Sequence, residues 1–188
     1  IILISQLAIV LLGVLAIWIL GLPLPSPGIS WMSACILGVA LALVTFALFF
    51  VLFRYGGKLS QTLLADIHRV SRLFIGYSWL RIMCIATLAG IGEELLFRGF
   101  FQTWLHTHLE ISWAILIVSI VFGLLHYLSH AYFICTVLMS MAFCVGYYLT
   151  GSLLMVMVWH GVYDLIALGV IVNYPQLIAV DTAGSTEL

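Results

Sequence analysis

The chain has 188 residues, of which 65% are apolar and only 7% charged; six basic and seven acidic side chains give a formal net charge of −1. Soluble domains carry about a quarter charged residues, so this chain cannot clothe a surface in water, and lipid is its natural solvent. A nearly neutral balance also leaves no basic stripe for a polyanion, which excludes nucleic acid and makes membrane lipid the expected partner.

In chain order, the first apolar run covers about Ile1 to Leu20 and ends in the Pro-rich punctuation from Gly21 to Gly28. It lacks the basic start of a cleavable leader and is too long for one, so it reads as a span. A second run covers about Trp31 to Phe53. From Arg54 to Arg72 the composition changes: Arg54, Lys58, Asp66, His68, Arg69 and Arg72 alternate with apolar residues, the pattern of a helix lying along the interface. Four further runs follow at about Trp79–Leu105, Ser112–Leu128, Ala131–Leu149 and Ser152–Val172. A crossing needs roughly 20 apolar residues. The expectation is therefore all-α: one polytopic membrane domain over residues 1–188, with about six transmembrane helices and one interfacial amphipathic helix.

The basic stretch is expected on the cytoplasmic side, where Lys and Arg accumulate, which with six crossings leaves both termini cytoplasmic. Trp18, Trp31, Trp79, Trp104 and Trp113 fall near helix ends, at headgroup level, while Trp159 is the exception. Cys35, Cys84, Cys135 and Cys144 sit in apolar runs without CxxC spacing and read as small packing residues.

Against this background a few polar residues stand out: Glu93, Glu94 and Arg98 in the third crossing, His126 in the fourth, His160 and Asp164 in the sixth. Charge at mid-membrane costs from about 2.5 kcal/mol upward, so such groups face the bundle interior and mark function. Counted from the outer ends at the helical rise, Glu93 lies about 22 Å deep, His126 about 21 Å, His160 about 12 Å and Asp164 about 18 Å. Four ionisable groups from three helices thus share one depth to within about 10 Å. A common polar chamber is the expected result.

Spacing within each helix separates roles. Glu94 and Arg98 are four apart and can pair, whereas Glu93 points about 100° away and keeps its carboxylate free. His160 and Asp164 are also four apart and project together. Ala86, Ala89, Gly90 and Gly92 precede the acidic pair, small residues that let a neighbouring helix come close.

The motifs EExxxR (Glu93 to Arg98), FxxxH (Phe122 to His126) and HxxxD (His160 to Asp164) together resemble those of the CPBP, or Abi, family of intramembrane proteases, relatives of the Rce-type CAAX prenyl endopeptidases. The resemblance covers residues 81–168 as a catalytic core. It implies that Glu93 and His126 activate a water, that His160 and the residue at Asp164 stabilise the oxyanion, and that Glu94 and Arg98 support the site. It also implies a membrane-associated or prenylated peptide or protein as substrate, and a compact size more like that of members in the prokaryotic cytoplasmic membrane. Many members carry Asn where this chain has Asp164. An ionised Asp cannot donate to an oxyanion, so it is either protonated, orients His160, or helps to bind a metal.

No serine lies in a GxSxG setting, so the reading uses no covalent nucleophile. Zinc held by Glu93, His126, His160 and Asp164 is the mechanistic rival, though the familiar zincin spacings are absent and no cofactor is required. A proton relay or transporter, or a non-catalytic scaffold, could use the same chamber. A buried ion-pair cluster is the plain alternative for Glu93, Glu94 and Arg98, and a helix-carbonyl bond for His126. His130 reads as interfacial, and His106, His108 and Glu110 as a solvated outer loop.

Overall fold

The computed structural model describes residues 2–174, all of whose regular structure is helical; Ile1, at the head of the first expected crossing, lies outside them. In chain order the segments are α1 (Ile2–Leu20), α2 (Trp31–Tyr55), α3 (Gly57–Ser71), α4 (Trp79–Glu94), a π-helical segment (Leu95–Gln102), α5 (Thr103–His106), α6 (Ile111–Leu125), α7 (His130–Thr150) and α8 (Leu153–Asn173). Among the described residues α1, α2, α7 and α8 are each long and apolar enough to cross a membrane. The chain is a helical membrane bundle.

The two remaining expected crossings take a different form. Trp79–Leu105 is helical without a break, but its middle passes into π geometry at Leu95 and α4 itself has 16 residues. The crossing expected over Ser112–Leu128 stops at Leu125 after 15 residues, because His126 leaves helical backbone at φ −105°, ψ 16°. At the helical rise that is about 22 Å, short of the roughly 30 Å hydrocarbon core. Hydropathy carried the expected run past His126; the turn into α7 ended it.

Helix starts are set locally. Ser30, Ser129 and Ser152 precede α2, α7 and α8, and each side-chain oxygen accepts from the backbone N–H three residues on, which satisfies a donor left orphaned by the first turn. Between α2 and α3 the chain turns at Gly57, whose φ of +57° lies in the left-handed region that glycine enters without a steric penalty. As expected, α3 is amphipathic: Leu63 and Leu64 are buried, while Lys58, His68 and Arg69 are exposed.

The centre of the bundle is α8, packed against α2 on one side and α4 on the other, with α6 and α7 forming a hairpin and α1 lying along α4 and the π segment. One apolar cluster joins α2, α7 and α8 through Ala42, Phe143, Met155 and Trp159; a second joins the π segment, α6 and α7 through Phe97, Val118, Phe122 and Cys144. Trp159 escapes the interfacial pattern of the other tryptophans because its indole N–H donates to Thr45 Oγ1 at 2.9 Å. That bond ties α8 to α2 and satisfies the one polar atom of a buried ring.

Candidate active site

Glu93 and Glu94 end α4, and Arg98 lies in the π segment that continues it. Arg98 is fully buried: Nη1 donates to Glu94 Oε1 at 3.0 Å, and Nη2 donates to Ser140 Oγ at 2.8 Å and to Ser140 O at 3.1 Å. One turn on, Gln102 Nε2 donates to Cys144 O at 3.0 Å. Two polar side chains four residues apart therefore dock on two α7 positions four residues apart. π-helical turns are rare and concentrate at functional sites, and this one lies where α4 must present a charge inward and grip α7 at once. Ser140 and Gln102 were not singled out from the sequence. Their signal was there, as isolated polar residues at fourfold spacing in apolar runs.

The close approach of α8 to α4 beside this cluster depends on Gly90. A Cβ added there would stand 2.7 Å from both N and Cα of Gly161. The small residues before the acidic pair thus bring α8, with its histidine, to Glu94.

His160 on α8 meets Glu94 through Nδ1, 2.8 Å from Oε1. A carboxylate already paired with Arg98 is an acceptor, so Nδ1 donates. The opposite nitrogen, Nε2, faces Asp164 Oδ2 at 3.5 Å and Glu93 Oε2 at 4.0 Å. His126, just past the end of α6, sets Nδ1 2.9 Å from Phe122 O; a carbonyl can only accept, which fixes the proton on Nδ1 and turns Nε2 toward Glu93 Oε2 at 3.7 Å. His126 makes the helix-carbonyl bond of the plain alternative and also faces the chamber, with different nitrogens.

All four residues expected to share the chamber are therefore linked by separations of 3.5 to 4.0 Å, and Glu94 and Arg98 lie directly behind them. Exposure grades across the cluster: the side chains of Glu94 and Arg98 are at 0% and that of His160 at 6%, while those of Asp164 and His126 are at 27% and 34%. The ion pair is a sealed base; the outer residues face open space. Two aromatic rings wall the set. Phe122 stacks on His126 at 4.4 Å and Phe143 on His160 at 5.2 Å, and the Arg98 guanidinium lies over both rings at 5.0 and 5.2 Å, within cation–π range. Phe143 could not have been found from motif spacing, since it reaches the site from α7.

Glu93, His126, His160 and Asp164 line the inner end of a cavity of about 310 Å³. From His160 to Ile171, both in its wall, the cavity follows α8 for about 16 Å at the helical rise. Phe49, Phe53, Ile67, Phe74 and Ile171 make its walls apolar, and α3 closes its side through Leu63, Ile67 and Val70. α3 is thus a wall of the cavity, and its Lys58, His68 and Arg69 are exposed.

The donors Glu93, His126, His160 and Asp164 are of types that zinc accepts, but among the described residues no three His, Cys, Asp or Glu stand close enough to form a ready metal cluster. Separations of 3.5 to 4.0 Å exceed the about 3.3 Å between neighbours in a tetrahedron with zinc bonds of about 2.0–2.1 Å. His130 stands apart, exposed at the start of α7 with Nδ1 3.0 Å from Tyr127 Oη. His106, at the end of α5, and His108 bond locally, to Leu109 O and Trp104 O.

Residues 75–166 match the family described as type II CAAX prenyl endopeptidase Rce1-like. No curated protein and no solved structure matches the chain.

Proposed function

Because residues 75–166 match the type II CAAX prenyl endopeptidase Rce1-like family, we propose that the chain is an intramembrane endopeptidase whose general base is Glu93. The observation that carries this reading is the placing of Glu93 Oε2 3.7 Å from His126 Nε2 and 4.0 Å from His160 Nε2, at the inner end of the cavity. Polar groups at such separations are bridged well by one water, about 2.8 Å from each.

In the proposed reaction the water is held between Glu93 and the lone pair of His126 Nε2. Glu93 takes its proton as the oxygen adds to the scissile carbonyl carbon. A doubly protonated His160, held at Nδ1 by Glu94, presents Nε2–H to the developing oxyanion. Asp164 accepts from that same Nε2–H at rest and so orients the ring, which gives it a role open to Asp as well as Asn. The C–N bond then breaks as the proton on Glu93 passes to the leaving nitrogen, giving a carboxylic acid and an amine. No metal takes part in this scheme.

The proposed substrate is a membrane-associated or prenylated peptide. The proposed setting is a prokaryotic cytoplasmic membrane with Arg54 to Arg72 on the cytoplasmic side, since positive residues accumulate there. The test is mass spectrometry of a farnesylated CAAX peptide and of total membrane peptides, incubated with wild type or Glu93→Gln in liposomes. Wild type is expected to cleave and Glu93→Gln to lose at least about 10²-fold in rate. Full activity in the variant would falsify the general-base role, and Glu93-dependent ion flux without cleavage would replace a protease with a transporter.

A further inference from the structure

Five of the six basic side chains lie between residues 54 and 81, and all five are exposed: Arg54, Lys58, Arg69, Arg72 and Arg81. Along α3 and its C-cap, Lys58, Gln61, Ala65, Arg69 and Arg72 are exposed and recur every three or four residues, which sets them in one stripe. Ser60, Leu63, Leu64 and Asp66 are buried on the other sides of the helix. Asp66 is the one acid between residues 54 and 81; it is spent on Arg69, with Oδ1 3.7 Å from Nη1, and this stretch offers Lys58 and Arg72 no counter-charge. Interleaved with the cations are Tyr55, Leu59, Leu73, Ile75 and Trp79, all exposed as well. An acidic peptide answers the charge alone. A leaflet of anionic phospholipid answers charge and apolar surface together, because a basic amphipathic helix seats its apolar residues at the headgroup–acyl boundary and its cations on the headgroups.

The same helix is a wall of the cavity through Leu63, Ile67 and Val70. Turns at Gly57 (φ +57°) and Gly76 (φ +79°) bound the segment, so whatever grips its outer stripe also fixes its inner face. We propose that α3 docks on anionic phospholipid headgroups through Lys58, Arg69 and Arg72, and that this docking holds the cavity wall in place. The docking stands independently of the protease reading; its effect on turnover rests on that reading.

Gln61→Trp puts a fluorescent reporter on the stripe of the full chain, reconstituted in vesicles of phosphatidylcholine and phosphatidylglycerol in equal parts. Quenching of the added fluorescence by brominated forms of each lipid, taken against the unsubstituted chain, gives their relative affinity at α3. Phosphatidylglycerol is expected to be favoured at least about fivefold, the scale of one Lys or Arg at an anionic surface. Raising salt from 0.1 to 1 M shortens the Debye length from about 10 to about 3 Å and should abolish the preference, as should Lys58→Gln/Arg69→Gln/Arg72→Gln made in the same chain. Equal affinities at 0.1 M salt overturn the docking, and so does a preference that survives both treatments. A preference seen only when the chain is ended at Tyr174 overturns it too, by assigning the stripe to Asp181 and Glu187. For turnover, a farnesylated CAAX peptide of no net charge is expected to show a KM in pure phosphatidylcholine at least about threefold above that in the mixed vesicles, as for a wall set in place in a third of the molecules or fewer. The triple variant should show the higher KM in both. A KM equal in the two vesicles overturns the wall-holding role. Absence of cleavage in either, with membrane peptides also uncleaved, overturns the protease reading and leaves the docking to be decided by the quenching.

Discussion

Glu94 and His160, 66 residues apart, meet at 2.8 Å between Oε1 and Nδ1. The same oxygen receives Arg98 Nη1 at 3.0 Å, so the ion pair that braces α4 and the π segment also sets the direction in which the imidazole of α8 points. Support and chemistry share one atom.

Removing Arg98 alone takes the guanidinium from a fully buried Glu94 and leaves it the single imidazole contact with His160 Nδ1. Arg98→Met is expected to destabilise the protein by about 3–5 kcal/mol, read as a lowered thermal midpoint in detergent, with cleavage lost as well. The double variant Glu94→Leu/Arg98→Met is expected to recover much of that stability, since an apolar replacement removes both charges. Its cleavage should stay low, because His160 has lost the acceptor at Nδ1. Full activity in the double variant would show that Glu94 does not position His160.

Gly90→Ala places a methyl group 2.7 Å from N and Cα of Gly161, where backbone cannot give way cheaply. Overpacking of this kind costs about 1–3 kcal/mol, and the separation forced between α4 and α8 should weaken the Glu94–His160 contact. Melting and turnover measured on one preparation test this; an unshifted midpoint would mean that the helices part without strain.

Asp164→Asn keeps a side chain able to accept from His160 Nε2–H, so cleavage is expected to persist with modest loss. Asp164→Leu removes the acceptor and should reduce kcat by about 10²-fold with little change in KM. Equal behaviour of the two variants would remove Asp164 from the orienting role.

Treatment with a strong chelator followed by dialysis is expected to leave peptide cleavage unchanged, as the proposed scheme needs only water, two imidazoles and three carboxylates. Loss of turnover that added zinc restores would assign Glu93, His126, His160 and Asp164 to a metal instead.

Hydropathy and periodicity are local properties of a chain, and they carried what is local here. Low charge demanded a helical membrane bundle, the fourfold spacing of Glu94 and Arg98 foretold their ion pair, and the alternating charges after Arg54 marked an amphipathic α3. Matched depths also foresaw a meeting of groups from three helices. Only packing could decide which atoms meet. Ser140 and Phe143 enter from α7, a contact that no spacing within their own helix encodes. The end of α6 at Leu125 turns on a backbone bend that hydropathy cannot register, since the residues beyond it are partly apolar too. The closing of the cavity by α3 depends on where the bundle leaves room for it. Each of these is a relation between distant segments, fixed when apolar surfaces interlock and buried polar atoms must find partners.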